Sequence, residues 1–231
     1  MKNLFVLLIS LLICSFSIVA QIKVAALKGD VSVRHGASEQ WQSVAVGDVL
    51  KPDDSMKMRK QSSATITLED GKKIVVPEQV IVDVSDLRDL TQDEFLLKLA
   101  MEQVRSISLP EKEDNINIPR TSSMHGSQKG ITGKLSSNAE VGVLQLNGTK
   151  VLFENGYDET GVLKTKQVFR LYPALVKQIE TRMMVARAFE NMNLTRDALG
   201  EYRSLLNEPL PPQQRTQLEQ KIELLKKQVD G

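Results

Sequence analysis

Residues 64–76 read ATITLEDGKKIVV. Ala64, Ile66 and Leu68 alternate with Thr65, Thr67 and Glu69, so a strand here has one apolar and one polar face. Asp70-Gly71 follows, and then a second β-branched run, KIVV. Asp-Gly between two such runs predicts an antiparallel hairpin closed by a type I′ turn, in which glycine supplies positive φ.

The same pattern extends outward. IKVAAL (22–27), VSVRH (31–35) and VIVDV (80–84) are short and β-branched. Lys28-Gly29-Asp30, Gly36-Ala37-Ser38 and Pro77-Glu78 separate them with turn residues. Closely spaced short strands predict an all-β module over residues 21–86, a small sandwich or barrel.

Downstream the period changes. Thr91 with Glu94 makes a capping-box pattern. Phe95, Leu96, Leu99, Val104 and Ile107 then recur at helical spacing, predicting one amphipathic helix within 87–107. Residues 108–137 are rich in Ser, Gly, Pro, Asn and charge. Too few apolar groups are present to offset ordering entropy, which predicts a flexible linker. EVGVLQL and KVLFE flank Asn147-Gly148, so the same turn logic predicts a second hairpin over 138–156. Residues 166–229 read as helical. Pro173 suits a first turn and ALVKQIETRMMVARAFENM a long helix. Thr195 stands as N-cap of RDALGEYRSLL, Pro209, Pro211 and Pro212 end that helix, and QRTQLEQKIELLKKQ forms a third. The expected class is α+β: a β module, a linker and a helical tail of a hairpin or three helices.

The chain opens MKNLFVLLISLLICSFSIVA, with Lys2 as the only charge. Its apolar run of roughly 15 residues is short for a ~30 Å hydrocarbon core. Residues 1–20 therefore read as a signal peptide cleaved before Gln21, which sends the protein to the periplasm or beyond the cell. Cys14 is the only cysteine, so a chain starting at Gln21 has no disulfide, Cys nucleophile or Cys-based zinc site. Lys2 is one of 30 Lys and Arg, against 29 Asp and Glu, so the chain from Gln21 carries no formal net charge. Without a clustered basic face, a nucleic-acid partner is not expected. No later apolar run reaches the length of a membrane span.

Catalytic motifs are missing: no G-x-S-x-G, H-E-x-x-H or phosphate loop occurs, so no enzyme, cofactor or metal is expected. His35 and His125 have no ligand-spaced partners and read as surface residues. Asp48 and Asp54 fit turn capping, with a ligand contact or hydrolase pair as the rival reading. Trp41 reads first as an anchor of the small β core and second as a platform for a sugar ring. Asn147 and Asn193 begin glycosylation sequons that coincide with a turn and a helix cap.

GDVSVRHG (29–36), Trp41, GDVL (47–50), Asp54, Met56, Ala64 and LEDGKKI (68–74) together resemble the FecR domain of bacterial envelope proteins. The likeness covers residues 24–82, with Asp53 and Arg59 standing where that family has glycine. The stand-alone secreted type implies periplasmic binding or assembly and no catalytic residues. The tail is similar to a tetratricopeptide helix pair. Ala186 and Phe189 stand in its first helix, Asn193 in its turn, and Ala198 and Tyr202 in its second. That likeness implies a groove for a partner segment, with Phe189 and Tyr202 as its aromatic residues. The expected function is therefore non-enzymatic binding or scaffolding in the envelope, the partner being a protein or glycan. The alternatives are a carbohydrate- or peptidoglycan-binding module using Trp41, and a regulatory sensor subunit.

Overall fold

The computed structural model describes residues 21–106 and 135–230. The expected signal peptide and residues 108–134 of the expected linker lie outside the described residues.

The β module is a sandwich of two four-stranded antiparallel sheets. Its strands are β1 (Ile22–Lys28), β2 (Val31–Arg34), β3 (Gln42–Ser43), β4 (Val49–Leu50), β5 (Ser55–Met58), β6 (Ser63–Thr67), β7 (Lys73–Val76) and β8 (Val80–Asp83). One sheet runs β4-β1-β6-β7 and the other β3-β2-β5-β8. Strand alternation decides what is inside. Val24, Ala64, Ile66, Ile74 and Val76 from one sheet meet Val31, Val33, Met56, Met58, Val80 and Val82 from the other in a single core. Met56, Met58, Ile66 and Ile74 are fully buried, each worth about 1.5–3 kcal/mol. The polar face predicted for Thr65 and Thr67 is the outward one.

The central hairpin forms, pairing Ile66 with Ile74 and Thr67 with Lys73. Its turn is not type I′: Gly71 has φ +85°, and Asp70 is not among the residues with positive φ. The Gly71 amide donates to the Leu68 carbonyl, and the Leu68 amide to the Lys72 carbonyl. This is a tight turn ended by a left-handed glycine, so the loop is one residue longer than two-residue turns allow.

The expected helix is α1 (Gln92–Ser106). The Glu94 amide donates to the Thr91 hydroxyl at 3.2 Å, half of the expected capping box. The Glu94 carboxylate does not turn back to complete it. It accepts instead from Arg88 at 2.5 Å and pairs with Lys98 at 2.9 Å.

The second hairpin is overturned. Residues 138–156 lie within α2 (Leu135–Glu154) and the turn after it. Gly142, Leu146, Thr149 and Leu152 are buried, a spacing of three to four that marks a helix. The helix crosses the outer face of β8, and Gly148 is where it comes closest. A Cβ there would collide with the carbonyl oxygen of Ile81. Asn147 donates to the Gln79 carbonyl at 2.9 Å. Asn147-Gly148 is thus a contact pair rather than a turn, and tertiary packing overrides the weak helix propensity of Val, Asn, Gly and Thr.

Helix α3 (Asp158–Leu171) begins before the expected boundary at 166. The long helix expected from Pro173 is broken. Pro173–Lys177 is a 3-10 turn, and α4 (Ile179–Asn191) follows it. Thr195 is the first residue of α5 (Thr195–Leu205), and Leu194, with no side-chain cap, stands at the N-cap. Helix α6 (Pro212–Asp230) completes the tail.

The turns α2–α3 and α4–α5 are built alike. Tyr157 and Leu194, 37 positions apart, share φ −88° and ψ 63°. Their amides donate to the carbonyls of Leu152 and Phe189, and a residue of positive φ precedes each, Gly156 or Asn193. This is the same helix C-cap twice. The side chains repeat with it: Thr149 and Ala186, Gly161 and Ala198, Val168 and Leu205 stand at matching buried places. Each tail helix packs mainly on the next, and α1 joins through Phe95 and Leu99. The helices on either side of residues 107–134 therefore belong with one packed body, which α2 fastens to β8.

Candidate functional site

Helices α4, α5 and α6 enclose a groove of about 950 Å³. Met183, Met184 and Arg187 of α4 form one wall, and Gln217 and Lys221 of α6 the other. Tyr202 of α5 and Leu218 lie buried at its base. Glu190 locks that base. It accepts the Tyr202 hydroxyl proton and pairs with Lys221 at 2.5 Å, so one carboxylate joins all three helices. Burial, with Glu190 as hydrogen-bond acceptor, pushes the Tyr202 phenol well above its ordinary range.

Of the two aromatic residues expected in such a groove, only Tyr202 borders it. Phe189 faces away into the core, 2% exposed and with its ring centroid 6.4 Å from that of Phe95. The same helix shows a different face to each side, and the buried side of α4 takes the aromatic ring.

Asp48 and Asp54 do not share a cleft. Asp48 accepts the Ala45 amide at 2.8 Å in one turn. Asp54 accepts the Lys51 amide at 2.8 Å in another. Both do the backbone capping that turn aspartates do. Asp54 is also 1% exposed, and its other oxygen lies 2.8 Å from His35 Nδ1, so His35 is at the surface as expected but is paired there with a buried carboxylate. The strand register explains the pairing. Arg34 pairs with Ser55 across β2 and β5, so the next step of the ladder places His35 opposite Asp54.

Trp41 is not a core residue. It stands half-buried on the outer face of the β3-β2-β5-β8 sheet, with Lys57 Nζ 4.2 Å and Arg34 Cζ 5.2 Å from the ring centroid.

A part-buried polar chain runs from there to the tail. Arg34 Nη2 donates to Ser55 Oγ at 3.1 Å, and Ser55 donates to Asp83 at 2.5 Å. Lys164 of α3 bonds Asp83 from the other side and lies 3.6 Å from Asp86, an ion pair too long for a hydrogen bond. Burial raises the Asp83 carboxyl, but Lys164 and Ser55 outweigh it and hold the group below its ordinary value. Asp86 stays raised by its burial, which Lys164 offsets only in part. Nothing in the sequence pattern announces this junction, because its members lie 81 positions apart.

No protein-family model, curated protein or solved structure matches the chain. The described residues contain no group of three or more His, Cys, Asp or Glu arranged to hold a metal ion. No helix among them is long and apolar enough to cross a membrane.

Proposed function

We propose that the chain is a non-enzymatic, exported FecR-domain protein that binds or scaffolds other proteins in the bacterial envelope. The observation that carries this is the α4–α6 groove. Its walls mix Met183 and Met184 with Arg187, Gln217 and Lys221, and its base is fixed by the Tyr202–Glu190–Lys221 link. Flexible methionines beside charged and amide groups suit a protein segment laid along a helix face. The repeated helix–turn–helix geometry supports the tetratricopeptide-like reading of the tail, and the β sandwich supports the reading of residues 21–86 as the FecR-like module.

Export and binding are tested together in cells. A photoreactive residue replacing Met184 is expected to crosslink a discrete envelope protein in the periplasmic fraction. The same residue replacing exposed Arg203, outside the groove, is not. Equal adducts at both positions, or none at 184, would overturn the groove as the binding surface. Retention of the protein in the cytoplasm would overturn export.

A further inference from the structure

A second cavity, of about 730 Å³, lies between the outer face of the β3-β2-β5-β8 sheet and the start of α2. Arg34, Trp41 and Lys57 line the sheet side, Val141 and Leu144 the helix side, and buried Ile81 belongs to the same wall. Arg59 and Lys60 add positive charge at its edge, against Asp30 and Glu140. Asp30 is taken by Arg59 at 3.1 Å.

The two inner cations are short of partners. Lys57 has no carboxylate within ion-pair distance among the described residues, and it rests over the indole of Trp41. Arg34 gives Nη2 to Ser55, while its Nε is buried with no hydrogen-bond partner in the structure. A buried guanidinium donor left unpaired is costly, and an indole face compensates a cation only weakly. Burial and the neighbouring Arg59 and Arg34 charges lower the Lys57 ammonium from its ordinary value, as expected where positive charge exceeds negative. An oxyanion between Lys57 and the Arg34 guanidinium would give Lys57 the counter-charge it lacks and balance the excess positive charge of the cavity through charge-assisted hydrogen bonds. Trp41, Val141 and Leu144 would hold an apolar face of the same ligand. The volume suits a compact small molecule.

We infer that this cavity binds a small sugar-like oxyanion, a sugar acid or a sugar phosphate, with Arg34 and Lys57 on the anionic group and Trp41 against its body. The site lies outside the helical groove and stands whether or not that groove binds protein.

Trp41 is the only tryptophan, so its emission reports this cavity alone. The purified protein is titrated with glucuronate, glucose 6-phosphate and glucose at matched ionic strength, with calorimetry beside fluorescence. A saturable response to at least one acid and none to glucose is expected. Which acid binds tells carboxylate from phosphate. Lys57→Met should weaken that binding by about tenfold or more while the melting curve is kept, because one charge-assisted contact is lost. Lys57→Arg should largely restore it. Silence with both acids, an equal response to glucose, or unchanged affinity in Lys57→Met would overturn the site.

Discussion

Gly148 of α2 lies against the carbonyl oxygen of Ile81 on β8 so closely that no Cβ fits between them. The helix and strand meet backbone to backbone there, and the β module is joined to the tail through that contact. Gly148→Ala must push α2 off the sheet. Overpacking of this kind costs about 1–3 kcal/mol, read as a lowered unfolding midpoint. Gly200 of α5 is the control, exposed and with open space where a Cβ would stand. Gly200→Ala should stabilise by about 0.5–1 kcal/mol through helix propensity. Matching responses at the two glycines would discredit the close contact.

Lys164 sits between Asp83 and Asp86 and is itself little exposed. Lys164→Met leaves two neighbouring carboxylates without their cation, and a loss of about 3 kcal/mol is expected in urea unfolding. The pH dependence has a definite sign. The folded Lys164 ammonium is raised above 10.5, because the two carboxylates outweigh its burial. Its stabilisation is complete below pH 10.5 and is lost as pH climbs through the folded value. Wild type should therefore weaken steeply on the alkaline side, and Lys164→Met should lose that slope.

Acid acts on the same cluster in two directions. Asp83 is held below 3.8, so its stabilisation is present above 3.8 and lost as pH falls through its folded value. Asp86 is raised above 3.8, so its ionisation weakens the fold as pH rises through that window. Asp86→Asn removes the opposing contribution. Wild type should gain stability as pH falls from above the folded Asp86 value toward 3.8, and Asp86→Asn should lack that gain; identical profiles over this window would count against the assignment.

Tyr202→Phe deletes the hydroxyl that Glu190 accepts, a loss of about 1 kcal/mol. The folded phenol lies above its ordinary 10.0, so the bond contributes fully below pH 10 and fades as the phenol ionises above it. Alkaline absorbance titration should show wild type and variant differing only at pH above 10. A difference appearing below pH 10 would show that the hydroxyl is not held by Glu190.

Phe189 and Met184 lie on one helix but face different surroundings. Phe189→Ala opens the core beside Phe95 and should cost about 3–5 kcal/mol. Met184→Ala, in the groove wall, should change stability by less than about 1 kcal/mol while altering what the groove binds. If both variants are equally unstable, Met184 is core and the groove is not a surface.

Strands built from β-branched residues were legible, and so were helices with a clear 3.6 period. β5, reading SMKM, was not, since it lacks β-branched residues although Met56 and Met58 are fully buried. Helix α2 was misread because Val, Asn and Gly carry strand and turn propensities that only its seat on β8 overrules. Tyr202 was found from its place in a helix pair, whereas Phe189 shared that pattern and went to the core. The Arg34–Trp41–Lys57 cavity has no signature in the sequence, because two strands, a loop and a distant helix compose it.

The sequence by itself determined the alternation that sorts the sandwich core from its outer faces, the hairpin around Gly71 and the amphipathic α1. These depend on residues close together in the chain and on backbone rules that act locally. Tertiary structure alone decided that Asn147-Gly148 is a helix contact, that Asp54 holds His35, that Lys164 bridges to Asp83, and that Trp41 faces two cations outside the core. Each of these depends on which surfaces meet when separate elements pack, and on desolvation at those meetings, which no local window of residues contains.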